Sequence, residues 1–391
     1  MSDHIPFVNG EADCELVSRY YSDSTIARVA LERAPRLVSK LPDGLKLWID
    51  PGVDGFHRPY ADSLNREWKQ HIRRFPGYRH IGDPAFHENP DLGRVEEFVF
   101  AVLAECTEFK PRAITIPQLP IVSDASRNKM NRALAAAAAK WRSNGKYDGW
   151  MILPAVFTDQ SQVNLKTARN RKRDVIRSCY EKSEASGLWA VDSTLQDQAG
   201  SATFRNRRFP GLVAFHEEII EHLPEGGITI AGPYWGMNLV LWVKGLCRFP
   251  AIGVGAGYQY HLAGGRAQQA KVRLALPPLR RWSRVGGLRD WLKDALKQID
   301  KSDSAYADFA HLLDNFTTLG DKQVSREQIA RFYKGWFDEI EAAPKAGRAL
   351  ALYQMLSSAY VLGKALPSLP SSEKTARRPE RVAEYLMLNC L

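Results

Sequence analysis

Leu45-Lys-Leu-Trp-Ile-Asp50-Pro-Gly-Val-Asp54-Gly-Phe56 is an apolar run that ends on a carboxylate and breaks at once into a Pro/Gly turn. The design recurs along the chain. Ala113-Ile-Thr-Ile-Pro117 leads into Gln118, and Trp150-Met-Ile-Leu-Pro154 leads toward Asp159 and Gln160. Leu188-Trp-Ala-Val-Asp192 ends on an acid, and Ile228-Thr-Ile-Ala231 runs into Gly232. Phe249-Pro-Ala-Ile-Gly-Val254 runs into a glycine cluster. Short strands buried on both faces, each delivering a polar residue at its C-terminal end, are how a parallel barrel assembles a site. The fold expected is α/β, a TIM-like (β/α)8 barrel.

Helical patterns separate these runs, as parallel βα units require. Residues 25–38 carry apolar positions at helical spacing (Ile26, Val29, Ala30, Leu37) and stop before the turn Pro42-Asp-Gly44. Residues 61–75 read as a helix capped by Asp62 or Ser63, and 94–109 as another. The clearest helix covers 126–142, with five consecutive alanines from Ala135 to Ala139 and Asp124 or Ser126 as its cap. Further helices are expected at about 162–185, 210–223 and 239–246. After about residue 285 the strand-like runs fade, and helical pattern fills 287–299, 304–317, 325–341, 346–362 and 379–388. The expected organisation is a barrel with an N-terminal extension over 1–285 and an α-helical C-terminal domain over 286–391.

Composition narrows the partners. The chain has 391 residues, 45% of them hydrophobic, ample for a large core; roughly 250 residues suffice for a barrel. A formal net charge of +10 favours an anionic partner: DNA, RNA or a nucleotide. The five cysteines (Cys14, Cys106, Cys179, Cys247, Cys390) form no CxxC pair, so no zinc ribbon or disulfide framework is indicated. No metal or cofactor is implied, and reduced thiols in the cytoplasm are the expectation. The N-terminus lacks a basic segment followed by an apolar one, and no apolar run reaches the ~18–20 residues of a membrane span. The expected partners are therefore soluble, with a homodimer admitted and a membrane excluded.

The candidate chemistry lies at the strand ends. Asp50, directly after a β-run, reads as a base or as an acceptor for a purine N–H; the bland alternative is an Asx-turn or cap. That alternative weighs more for Asp54, in Val-Asp-Gly. Asp192 is a second carboxylate at a strand end. Gln118, Asp159 and Gln160 carry groups that read base edges or simply satisfy loop backbone. Gly232 and the run Gly253-Val-Gly255-Ala-Gly257-Tyr258 could bring backbone N–H groups to a phosphate, or only let backbones pack closely. His261 could contact phosphate or act as acid/base, or be structural. Arg169, Arg171, Lys172 and Arg173, with Arg207 and Arg208, could track a phosphodiester, the alternative being solvated helix faces.

The order and wording of these segments resemble the queuine/archaeosine tRNA-guanine transglycosylase family, most nearly its archaeal branch, over residues 45–265. Ile116-Pro-Gln-Leu-Pro120-Ile-Val-Ser-Asp124-Ala-Ser126-Arg127 and the Ala-rich helix after it resemble that family's Pro-rich strand end and following helix. Ile152-Leu-Pro-Ala-Val156-Phe-Thr-Asp-Gln160-Ser161 resembles its V-V-Q-G-S segment. Leu188 to Thr194 sits where the family has I-G-G-L, and Ile228 to Gly236 resembles its strand ending in a glycine loop. Asp50-Pro-Gly-Val-Asp-Gly-Phe56 resembles its D-S-G-G-F turn. The resemblance implies a TIM barrel and a base-exchange reaction, with one Asp displacing guanine and another assisting as base. It gives Asp50, or Asp54 in the other alignment, the role of first catalytic Asp, and Gln160 that of holding the base.

The chain departs from the family at three points. Phe249-Pro-Ala-Ile-Gly-Val-Gly-Ala256 lacks the acid of the D-x-F-D context, Asp192-Ser193 replaces a glycine pair, and no Cys/His zinc site is present. What is implied is a divergent paralogue that binds a purine or 7-deazaguanine base, with Asp50 and Asp192 as its carboxylates. Pentosyl transfer on nucleic acid or nucleotide, in a bacterial antiviral setting, is the activity this expects. Two alternatives stand beside it: a non-catalytic barrel serving as a nucleic-acid or protein scaffold, and a barrel enzyme acting on a phosphorylated metabolite.

Overall fold

Eight parallel strands close on themselves in chain order: β1 (Ile5–Val8), β2 (Ile26–Ala30), β3 (Lys46–Asp50), β4 (Ala113–Thr115), β5 (Trp150–Phe157), β6 (Gly187–Asp192), β7 (Ile228–Ala231) and β8 (Phe249–Gly253). The computed structural model describes residues 3–57, 66–145, 147–157, 166–192, 209–221, 223, 226–234, 236–254 and 272–370. Strand β1 pairs with β8, through Phe7 opposite Gly253, and completes the ring. The expected α/β barrel is the fold observed.

Helices of seven residues or more surround the strands or follow them in the chain. In the barrel unit they are α1 (Glu11–Tyr20), α2 (Arg66–Ile72), α3 (Leu92–Thr107), α4 (Ala125–Ser143), α5 (Lys166–Ser183), α6 (Phe209–Ile220) and α7 (Met237–Val243). Asp124 caps α4, its carboxylate accepting from the N–H groups of Ser126 (2.8 Å) and Arg127 (3.4 Å). The small buried side chains Ala135, Ala137 and Ala138 let α4 pack closely within the helical layer.

Residues 25–38 are not a helix. Ile26–Ala30 is strand β2, followed by a 3-10 turn at Leu31–Arg33 and a short helix at Ala34–Leu37. Apolar residues three and four apart mimic one helical face, yet all five strand residues are buried because a barrel strand is covered on both sides. Strand β1 carries no helical or alternating signal long enough to announce it.

The chain divides into two compact units. One is formed by the described residues up to 192 together with 209–254, the other by those from 272 to 370. The second contains an antiparallel hairpin, β9 (Arg273–Leu276) and β10 (Arg281–Arg284), then α8 (Leu288–Leu296), α9 (Ser304–Asp314), α10 (Lys322–Glu341) and α11 (Arg348–Ala365). Leu274 and Leu276 of the hairpin join Leu288, Trp291, Leu292 and Phe309 in its core, so this unit begins N-terminal to residue 286. The Gln328 side chain accepts from the Ala275 N–H (2.8 Å) and donates to the Ala275 carbonyl (3.0 Å), which occupies the edge of β9. Among the described residues no helix is long and apolar enough to cross a membrane.

His216 of α6 is 3% exposed, and burial pushes its imidazole down to about 4. In the unfolded chain it titrates near 6.5. Between these values the unfolded state binds a proton that the folded state refuses, so stability falls as pH drops through this window. The full loss is roughly 3 kcal/mol for this one group. Denaturation midpoints at about pH 7.5 and about pH 4.5 should therefore lie further apart in the native chain than in His216→Leu; equal separations would contradict the assignment.

Candidate functional site

Strand register fixes which side chains enter the lumen. Phe7 lies opposite Arg28, Arg28 opposite Trp48, and Trp48 opposite Ala113. Pro154 lies opposite Trp189. Register partners in a parallel sheet share a face, and alternate residues along a strand share it too. Phe7, Arg28, Trp48, Asp50, Thr115, Trp189 and Gly253 therefore point inward.

Three of these form an aromatic cluster with edge-to-face geometry. Ring centroids lie 5.5 Å apart for Phe7 and Trp48, 5.2 Å for Trp48 and Trp189, and 5.5 Å for Phe7 and Trp189. The indole N–H of Trp48 donates to Thr115 Oγ1 (2.8 Å), and that of Trp189 to the Gly232 carbonyl (2.7 Å). Buried indoles need such partners, and both have them.

Asp50 comes two residues after Trp48 on the same face, one step nearer the C-terminal mouth. It is 1% exposed. Its Oδ2 accepts from Arg28 Nε (3.0 Å) and from the Arg28 terminal nitrogen, and its Oδ1 accepts from the Gly52 N–H (3.1 Å). The Arg28 guanidinium also lies over the Phe7 ring, 5.0 Å from its centroid. A buried ion pair in an otherwise apolar lumen is costly to desolvate, and this one stands where barrel enzymes place their chemistry.

Glu32 joins this pair. It sits in the 3-10 turn directly after β2, its side chain is 7% exposed, and Arg33 Nε lies 3.6 Å from Oε1. Burial raises its carboxyl above the usual range, and the charge of Asp50 adds to the rise. Arg28, the residue's own backbone N–H and Arg33 pull the other way. Two cations, Arg28 and Arg33, thus stand with two acids, Asp50 and Glu32, at the exit of β2 and β3. Arg28 and Glu32 were not singled out by the sequence because their segment reads as helix. A charged residue at the centre of a five-residue apolar run is the signal that marks them.

The other candidates lie elsewhere. Asp192 is fully buried at the end of β6, but it lies opposite Phe157, which packs on Phe215 of α6 (4.6 Å between centroids). It faces the helical layer, away from the lumen side that holds Asp50. The Tyr234 hydroxyl accepts from the Asp192 backbone N–H (2.7 Å). Asp54 is buried in the turn Val53–His57. Gln118 is 2% exposed and turned to α4, where its Nε2 donates to the Asn131 carbonyl (3.0 Å). The Asn131 side chain in turn holds both backbone groups of Leu119 (2.8 and 3.0 Å). Gly232 takes φ +92°, and a Cβ there would meet the Tyr234 backbone nitrogen at 2.7 Å, so glycine is required by the backbone.

The basic run of α5 does not make one strip. Arg169 Nε donates to Glu218 of α6 (3.2 Å), Lys172 is 2% exposed with Nζ 3.2 Å from Ser123 Oγ, and Arg173 lies 3.5 Å from Asp174. Arg171 is exposed. Asp159, Gln160, Gly255, Tyr258, His261, Arg207 and Arg208 lie outside the described residues.

Among the described residues four cysteines are buried, and burial raises each thiol, Cys14 to about 11 and Cys179 to about 12, which disfavours thiolate chemistry. Among the described residues no three His, Cys, Asp or Glu side chains cluster as a metal site.

No family model and no curated protein matches the chain. Among solved structures, a carboxyl transferase domain variant of Rhizobium etli pyruvate carboxylase, determined with pyruvate, is similar at 11% identity and a TM-score of 0.36. The match covers 100% of this chain and 62% of that one, so the chain spans less than two thirds of its length.

Proposed function

We propose that the C-terminal mouth of the barrel binds a small planar base rich in N–H donors, a purine or 7-deazaguanine. On this reading the chain is a divergent relative of the tRNA-guanine transglycosylases. The observation that supports it most is the buried Arg28–Asp50 pair with Glu32 beside it. Two buried acids stand here against Arg28 and Arg33, and a carboxylate turned to the mouth suits the N–H donors of an amidine-like edge. Beneath it the buried aromatic cluster keeps the lumen apolar.

Binding without turnover is favoured over exchange by one detail. Both Asp50 oxygens already accept protein donors, so this carboxylate is not presented as a nucleophile. Calorimetry of the full chain with guanine and 7-cyano-7-deazaguanine tests the site. Saturable binding of at least one of the two bases is expected. Absence of saturable binding to either base would overturn the reading. Incorporation of labelled guanine into DNA or tRNA would instead establish exchange.

A further inference from the structure

We infer that Glu32, and not Asp50, is the residue that selects the ligand at the mouth: its carboxylate receives the N–H donors of the bound base. This rests on the base-binding reading above and names the group that performs it. A carboxylate has about four lone-pair positions. Asp50 has committed three of them, two to Arg28 and one to the Gly52 N–H. Rotating it toward a ligand would leave the Arg28 guanidinium buried without its carboxylate, which is strongly unfavourable.

Glu32 is placed differently. It leaves β2 two residues after Ala30, the last lumen-facing residue of that strand, and it feels the charges of both Arg28 and Asp50. Its ion-pair contact with Arg33 is 3.6 Å, beyond hydrogen-bond distance. Arg33 is itself shared with the Asn9 carbonyl and, at 3.8 Å, with Glu67. Glu32 can therefore turn to a ligand without breaking a close bond to a cation.

The charged groups around Glu32 are Arg28 on β2, Asp50 on β3 and Arg33 in its own turn. Burial and Asp50 favour the protonated carboxyl; a ligand offering two N–H groups favours the carboxylate. Binding of a neutral base should then expel a proton from Glu32 to the buffer. Affinity rises with pH until Glu32 is ionised in the empty site, then levels.

The experiment is calorimetric titration of guanine into the full chain and into Glu32→Gln, in buffers of different ionisation enthalpy and across pH. Fold is checked by thermal melting. The expected result is proton release in the native chain, with affinity about tenfold or more lower and the pH dependence flattened in Glu32→Gln. Native-like affinity without proton coupling in Glu32→Gln would overturn the inference and leave the base site standing. Loss of binding already in the native chain would fail the base-binding reading instead, and this inference with it. Carboxyl carbon NMR of the ligand-free chain, with the Glu32 resonance assigned by its loss in Glu32→Gln, adds a second readout. A Glu32 midpoint among those of the exposed glutamates would also overturn the inference.

Discussion

Arg28→Met is expected to destabilise the barrel by about 3–5 kcal/mol. The methionine fills much of the volume over Phe7 but removes the cation that faces Asp50. One carboxylate then remains in the lumen with the Gly52 N–H at 3.1 Å as its close donor in place of three. An ion pair broken on one side costs more than the pair contributes, because the surviving charge keeps its desolvation penalty. The double variant Arg28→Met, Asp50→Leu removes both charges together and should recover most of the loss. Chemical denaturation followed by tryptophan fluorescence reads this directly, since Trp48 and Trp189 lie in the same lumen. A single-variant cost below about 1 kcal/mol would place the pair among weak, solvent-screened contacts. A double variant no better than the single one would mean that the hydrogen bonds, rather than the charges, hold β2 to β3.

How much of this was legible in the sequence depends on which strand is considered. Six strands announce themselves as apolar runs ending in a polar residue or a glycine, and Asp50 follows from that pattern alone. Strand β2 does not, because Ile26-Ala-Arg-Val-Ala30 places its arginine in the middle of the run, and its flanking residues complete a helical spacing. The cation that determines what Asp50 does was lost with it, and so was Glu32 just beyond. A second limit is parity. Asp50 and Asp192 both end strands in the same way, but Asp50 stands two residues after Trp48 and Asp192 three after Trp189. One residue of difference sends the two carboxylates to opposite faces of the wall. Because both faces of a parallel barrel strand are buried, hydrophobicity cannot show which parity is inward; the register can. Gln118 illustrates a third limit, since a neutral amide serves a helix carbonyl as well as a base edge, and only the position of Asn131 decides.

Trp189→Ala is expected to cost about 3–5 kcal/mol by the cavity it leaves alone. The indole is 1% exposed and meets both Phe7 and Trp48 edge to face, so neither neighbour can collapse into the gap without losing its own contacts. A further penalty of about 1–3 kcal/mol follows if the Gly232 carbonyl loses its donor and stays dry. Trp189→Phe separates the two contributions. It keeps an aromatic ring in the lumen but has no N–H for that carbonyl, and its expected cost is about 1–3 kcal/mol. The position of Gly232 makes the hydrogen bond more than a local satisfaction. Its backbone is in a conformation that other residues strain to adopt, and the turn it makes carries Tyr234, whose hydroxyl accepts from the end of β6. If Trp189→Phe costs as much as Trp189→Ala, the hydrogen bond and the turn it anchors dominate over filling of the lumen. If Trp189→Phe is nearly neutral, the aromatic cluster carries the stability of this mouth, and the Gly232 turn holds its shape through its own backbone.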